Sequence, residues 1–130
     1  MKRILTLMFL SALLCVGGHV WALEPNGEGV YEIGSASDLV AFAGIVNDGD
    51  ATANAILTAD IDMTEADISV FPIGTPASGS GRYSGTFDGQ GHKISNFKLI
   101  NKSAATNFGM LNTGSGVTLK NFWLDSSCEI

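Results

Sequence analysis

The sequence predicts a predominantly β chain, a solenoid of about three stacked rungs with one α-helix capping its N-terminal end. Three observations carry this expectation. Ile94-Ser95-Asn96-Phe97-Lys98-Leu99 and Leu119-Lys120-Asn121-Phe122-Trp123-Leu124 match in pattern at an offset of 25 residues. Self-similarity at such a period marks repeats that bury their apolar faces by stacking on one another. Sixteen glycines against three prolines indicate many tight turns rather than a disordered chain. One helical stripe, at residues 37–46, precedes the repeats.

The N-terminus reads as an export signal. Lys2-Arg3 is followed by an apolar run over residues 4–16, then by Val20-Trp21-Ala22, whose small last residue suits cleavage after Ala22. A lipoprotein site at Cys15 is disfavoured by the bulky Leu14 before it. No later apolar run reaches spanning length, so no membrane span is expected. Cleavage would leave 108 of the 130 residues and, without Lys2 and Arg3, take the formal charge from −6 to −8. That balance argues against nucleic acid and anionic membrane surfaces as partners. It would also leave Cys128 as the one cysteine, which excludes an internal disulfide. A buried, inert thiol is expected there.

Residues 23–54 are read as a lead-in strand and capping helix, and residues 55–130 as the rungs. In the lead-in, Val30-Tyr31-Glu32-Ile33 alternates as a short strand. Ser35 or Ser37 can cap the helix, and Asp38 in its first turn suits the helix dipole. Leu39, Phe42, Ala43 and Val46 form one apolar stripe, and Asn47-Asp48-Gly49 ends it. The rungs begin at residues 55–63, where Ile61 and Met63 face one way with Asp62 between them. Residues 70–74 are expected as an edge strand, because Pro72 lacks a ladder donor. Residues 74–84 read as a polar, Gly- and Ser-rich excursion, and Asp88-Gly89-Gln90-Gly91 as a tight turn.

In the first matching segment Phe97 and Leu99 alternate about Lys98, but Ile94 breaks the parity. A bend at Ser95-Asn96 restores it, because Asn tolerates a left-handed backbone. Stacking at the repeat offset would set Phe97 on Phe122, Leu99 on Leu124 and Asn96 on Asn121, with Asp60 at the equivalent earlier place. A hairpin meander is the competing reading. Between the segments, residues 108–111 suggest a short strand. The chain reaches Ile130 where a further strand is expected, so a fragment of a longer protein, or end-to-end self-association, is anticipated.

Four residues are candidate binding groups: Trp123, Lys98, Asp60 and Asp62. Asp60 and Asp62 lie two apart and would share a strand face, as paired carboxylates in β-helix lyases and hydrolases do. Against that, Asp60 can cap a turn, Asp62 can lie in solvent, and Lys98 would stack over Asp62 as an ion pair. Asp88 before Gly89 is expected to bond its own backbone. His92 has no nucleophile in view. Trp123 should face outward beside Lys98, where an aromatic ring stacks on sugars or docks on a partner, unless the 74–84 loop or a later rung covers it. No catalytic residue, cofactor or metal is assigned.

Leu57-Thr58-Ala59-Asp60-Ile61-Asp62-Met63, Phe71-Pro72-Ile73-Gly74-Thr75 and Tyr83-Ser84-Gly85-Thr86-Phe87-Asp88-Gly89-Gln90-Gly91-His92-Lys93-Ile94 together resemble the opening rungs of bacterial surface proteins with GLUG-type repeats. The resemblance covers roughly residues 35–125. The motif that names those repeats appears here as the degenerate Asn107-Phe108-Gly109-Met110. The resemblance implies an all-β, right-handed parallel β-helix and an exported, extracellular or cell-surface, adhesin-like protein. Its expected partner is an extracellular carbohydrate or protein. A fragment of a polysaccharide lyase or glycoside hydrolase, with Asp60 and Asp62 as acid and base, is the alternative. A structural cap of a longer fibre is the third reading.

Overall fold

A computed structural model describes residues 22–74, 81–98 and 110–129. Its elements are β1 (Val30–Ile33), α1 (Ala36–Asn47), β2 (Asn54–Leu57), β3 (Ile61–Asp62), a 3-10 turn (Ile68–Val70), β4 (Thr86–Ser95) and β5 (Thr118–Leu124). The five strands form one sheet in the order β1-β2-β4-β3, with β5 on β4. Every pairing between these strands is parallel. The ten-residue β4 is the hub. Its first half pairs β2, its end pairs β3, and its other edge carries β5.

The solenoid expectation is overturned by this topology. In place of an all-β, right-handed parallel β-helix of three rungs, one helix packs on a single five-stranded sheet of mostly short strands. Two physical reasons account for the difference. The 25-residue match is not the pairing register: Phe87 lies opposite Leu119, His92 opposite Phe122, and Ile94 opposite Leu124. The helix, moreover, is a core layer rather than an end cap. Phe42 has ring contacts with Tyr31 on β1, with Tyr83 and with Phe87 on β4, at centroid distances of 5.6, 5.9 and 6.0 Å. Leu39, Phe42, Ala43 and Val46 join the same buried cluster as Ile33, Leu57 and Phe87.

Local chemistry explains the helix boundaries. Ser35 is the N-cap, its Oγ accepting from the Asp38 amide at 3.2 Å, and the Asp38 carboxylate accepts from the Gly34 amide. Asp48 closes the helix and Gly49 follows at φ 138°. Asn47 then ties the helix end to the segment that crosses it. Its Nδ2 donates to the carbonyls of Val70 and Pro72, and its Oδ1 accepts from the Gly74 amide at 2.7 Å. That segment is not the expected edge strand. It is the 3-10 turn, the Phe71-Pro72 cis peptide and a single bridge from Ile73 to Leu111.

Tyr83, read from sequence as part of a polar loop, is a fully buried core residue. Its hydroxyl donates to the Ala53 carbonyl at 2.8 Å, which satisfies the one polar atom the ring brings inside. Burial pushes its phenol above the usual tyrosine range. Residues 75–80 of that loop, the motif residues Asn107, Phe108 and Gly109, Leu99, and the expected signal up to Trp21 lie outside the described residues.

The expected turn at Asp88-Gly89-Gln90-Gly91 is a bend inside β4, with Gln90 at φ 52° and Gly91 at φ 85°. The register with β5 shifts here, between Asp88 and His92. Gly89 is needed for close approach: a Cβ there would sit 2.1 Å from Phe122 Cβ. Asn96 and Asn121 are left-handed, at φ 59° and 60°. They do not stack on each other. Asn96 Nδ2 donates to Asp62 and Asn121 Nδ2 to Asp88, so each amide meets a carboxylate of a neighbouring segment.

Candidate ligand-binding face

The strand register builds this face without further assumption. Ile61 on β3 pairs with Ile94 on β4, which pairs with Leu124 on β5. Ile61 and Ile94 are buried, so their neighbours in sequence point to the opposite side of the sheet. One flanking row is therefore Asp60, Lys93 and Trp123. The other is Asp62, Ser95 and Asp125. Three strands thus present two parallel rows of polar and aromatic groups.

In the first row, Asp60 Oδ1 accepts from the Lys93 amide at 3.1 Å and lies 3.1 Å from His92 Nδ1. Those hydrogen bonds, from the Lys93 backbone first and the His92 ring second, hold the Asp60 carboxyl below the usual range. Lys93 lies opposite Trp123 in the ladder and reaches Asp125 Oδ2 at 3.5 Å. Trp123 is 52 % exposed. In the second row, Asp62 accepts from the Thr64 hydroxyl, the Asn96 amide group and the Thr64 backbone, which lower its carboxyl. Asp125 accepts from the Ser127 hydroxyl and backbone and from Ser95, and is lowered to about 2.

Three of the four sequence candidates therefore meet on one face: Asp60, Asp62 and Trp123. Lys98 does not join them. The expectation that it stacks over Asp62 beside Trp123 is corrected by the register, which gives Asp62 the partner Ser95. Lys98 bridges instead to Glu129, with Nζ 3.7 Å from Oε2. The group beside Trp123 is Lys93, which sequence reasoning missed because it assumed the 25-residue offset. His92, read as having no nucleophile in view, meets Asp60, which lies 32 positions away in sequence. Cys128 is half-buried, its thiol donating to the Ile94 carbonyl at 3.3 Å and its sulfur accepting from the Phe97 amide.

Chemically, the face combines one flat aromatic surface with carboxylates locked as anions and one ammonium. Among the described residues no cluster of three His, Cys, Asp or Glu side chains could hold a metal ion. Among them, too, no helix is long and apolar enough to cross a membrane. Comparison with known family models, with curated proteins and with solved structures finds no match for this chain.

Proposed function

We propose that the chain is an exported, non-enzymatic, adhesin-like binding module, and that the outer face of β3, β4 and β5 takes an extracellular carbohydrate. The observation that carries this reading is Trp123, half exposed on β5, which among the described residues pairs β4 alone, and flanked by Lys93. An exposed indole beside fixed hydrogen-bonding groups suits a sugar, whose ring face stacks while its hydroxyls donate to carboxylates. Asp60, Asp62 and Asp125 outnumber Lys93, which favours neutral or amino sugars over uronates. The sequence resemblance to GLUG-type surface proteins supports export and adhesion.

A protein partner is the second reading, favoured by Leu119, 41 % exposed on the same strand. Both carboxyls of the Asp60 and Asp62 pair are held low, which suits hydrogen-bond acceptors better than a general acid near neutral pH. Calorimetric titration with neutral, amino and acidic oligosaccharides tests the proposal. Binding of neutral or amino sugars, lowered about fivefold or more in Trp123→Ala and retained in Lys98→Ala, is the expected result, given about 1–3 kcal/mol for a lost aromatic stack. Cleavage of any oligosaccharide, abolished by Asp62→Ala, would replace this reading with the enzymatic one.

A further inference from the structure

A cleft of about 580 Å³ opens between the first turns of α1 and the segment after β3. Its walls are small and apolar, with Ala36 and Val40 from the helix and Ala66 opposite. Every charged residue lining it is an acid: Asp62, Glu65 and Asp67. The volume lies in the range of small-molecule sites. An apolar floor under an acidic rim complements a ligand that is apolar at one end and cationic at the other. The positive end of the α1 dipole does not reverse this field, because Asp38 in the first turn already answers it. Two of the rim carboxylates are fixed by local bonds, Asp62 by Thr64 and Asp67 by the Ser69 amide, so their charges keep their positions.

We propose that this cleft binds a small primary amine with an apolar body, its alkyl chain against Ala36, Val40 and Ala66 and its ammonium at Asp62, Glu65 and Asp67. The cleft shares Asp62 with the carbohydrate face but does not include Trp123, so Glu65 and Trp123 test the two readings apart. The test is an amide-resolved NMR titration of the full chain with hexylammonium, hexanol and hexanoate at one ionic strength. Expected are saturable shifts at Ala36, Val40 and Ala66, with hexylammonium binding about fivefold or more tighter than hexanol, and hexanoate weakest. Glu65→Gln, at an exposed rim position, should weaken hexylammonium and leave hexanol unchanged, while Trp123→Ala should alter neither. Equal binding of all three probes would overturn the proposal by showing an apolar cleft without charge selection. Unsaturable shifts, or shifts away from these residues, would overturn it as well.

Discussion

β4 and β5 are neighbours in one ladder, yet they are held by different forces. Phe87 and Ile94 on β4 are fully buried, while Leu119, opposite Phe87, is 41 % exposed. The sequences of the two strands do not announce this, since Leu119, Phe122 and Leu124 are as apolar as their partners. The difference is one of position. β4 has strands on both edges and Phe42 packed on Phe87, whereas among the described residues β5 is bonded to β4 alone. Hydrophobic stabilisation follows area removed from water, so the same residue type contributes much on β4 and little on β5. What fixes β5 is its backbone ladder, the Phe87–Phe122 ring contact at 5.1 Å, and polar bonds from Asn121, Ser95 and Asp125.

The sharpest test of that contrast is a paired truncation. Phe87→Ala should cost about 3–5 kcal/mol, and Leu119→Ala about 0.5 kcal/mol, in denaturant unfolding. Equal losses would mean that β5 is covered in solution. A smaller effect is expected where the strands approach most closely. Gly89→Ala sets a methyl against Phe122 Cβ and the Asn121 carbonyl, and should cost about 1–3 kcal/mol. Hydrogen exchange should show that loss first as faster opening of β5.

The smallest effect is electrostatic and belongs to the β5 side. The Asp125 carboxyl lies at about 2 in the folded chain against 3.8 for an unperturbed aspartate. A lowered folded value means the unfolded chain takes up the proton first as pH falls. Its contribution is therefore complete above about pH 4 to 5 and fades as pH drops toward 2. Urea midpoints measured from pH 6 down to 2.5 should fall less steeply in Asp125→Asn than in the unchanged chain. Parallel slopes would show that Asp125 does not hold β5.

Much of the local structure was legible because it rests on short-range chemistry. The Ser35 cap, the Asp38 first turn, the stripe through Leu39, Phe42, Ala43 and Val46, and the left-handed Asn96 and Asn121 each follow from residues within a few positions. The same is true of the Asp88 bond to the Gln90 amide. The outward direction of Trp123 followed from alternation alone. What failed was register. A six-residue similarity at 25 residues suggested which strands align, but β4 and β5 pair at offsets of 30 to 32 residues. The pairing put Lys93 rather than Lys98 beside Trp123, and joined His92 to Asp60.

By itself, then, the sequence determined the local devices: a capped helix, bends at Asn, Gln and Gly, and strands with one apolar face. Those depend on backbone torsion and hydrogen bonds within a few residues, which composition and spacing record. Only the tertiary structure decided that one sheet forms around β4, that Tyr83 is core, and that Asp60, Asp62 and Trp123 share a face. Partners some 30 positions apart are chosen by packing, and packing is a property of the assembled volume rather than of any stretch of chain.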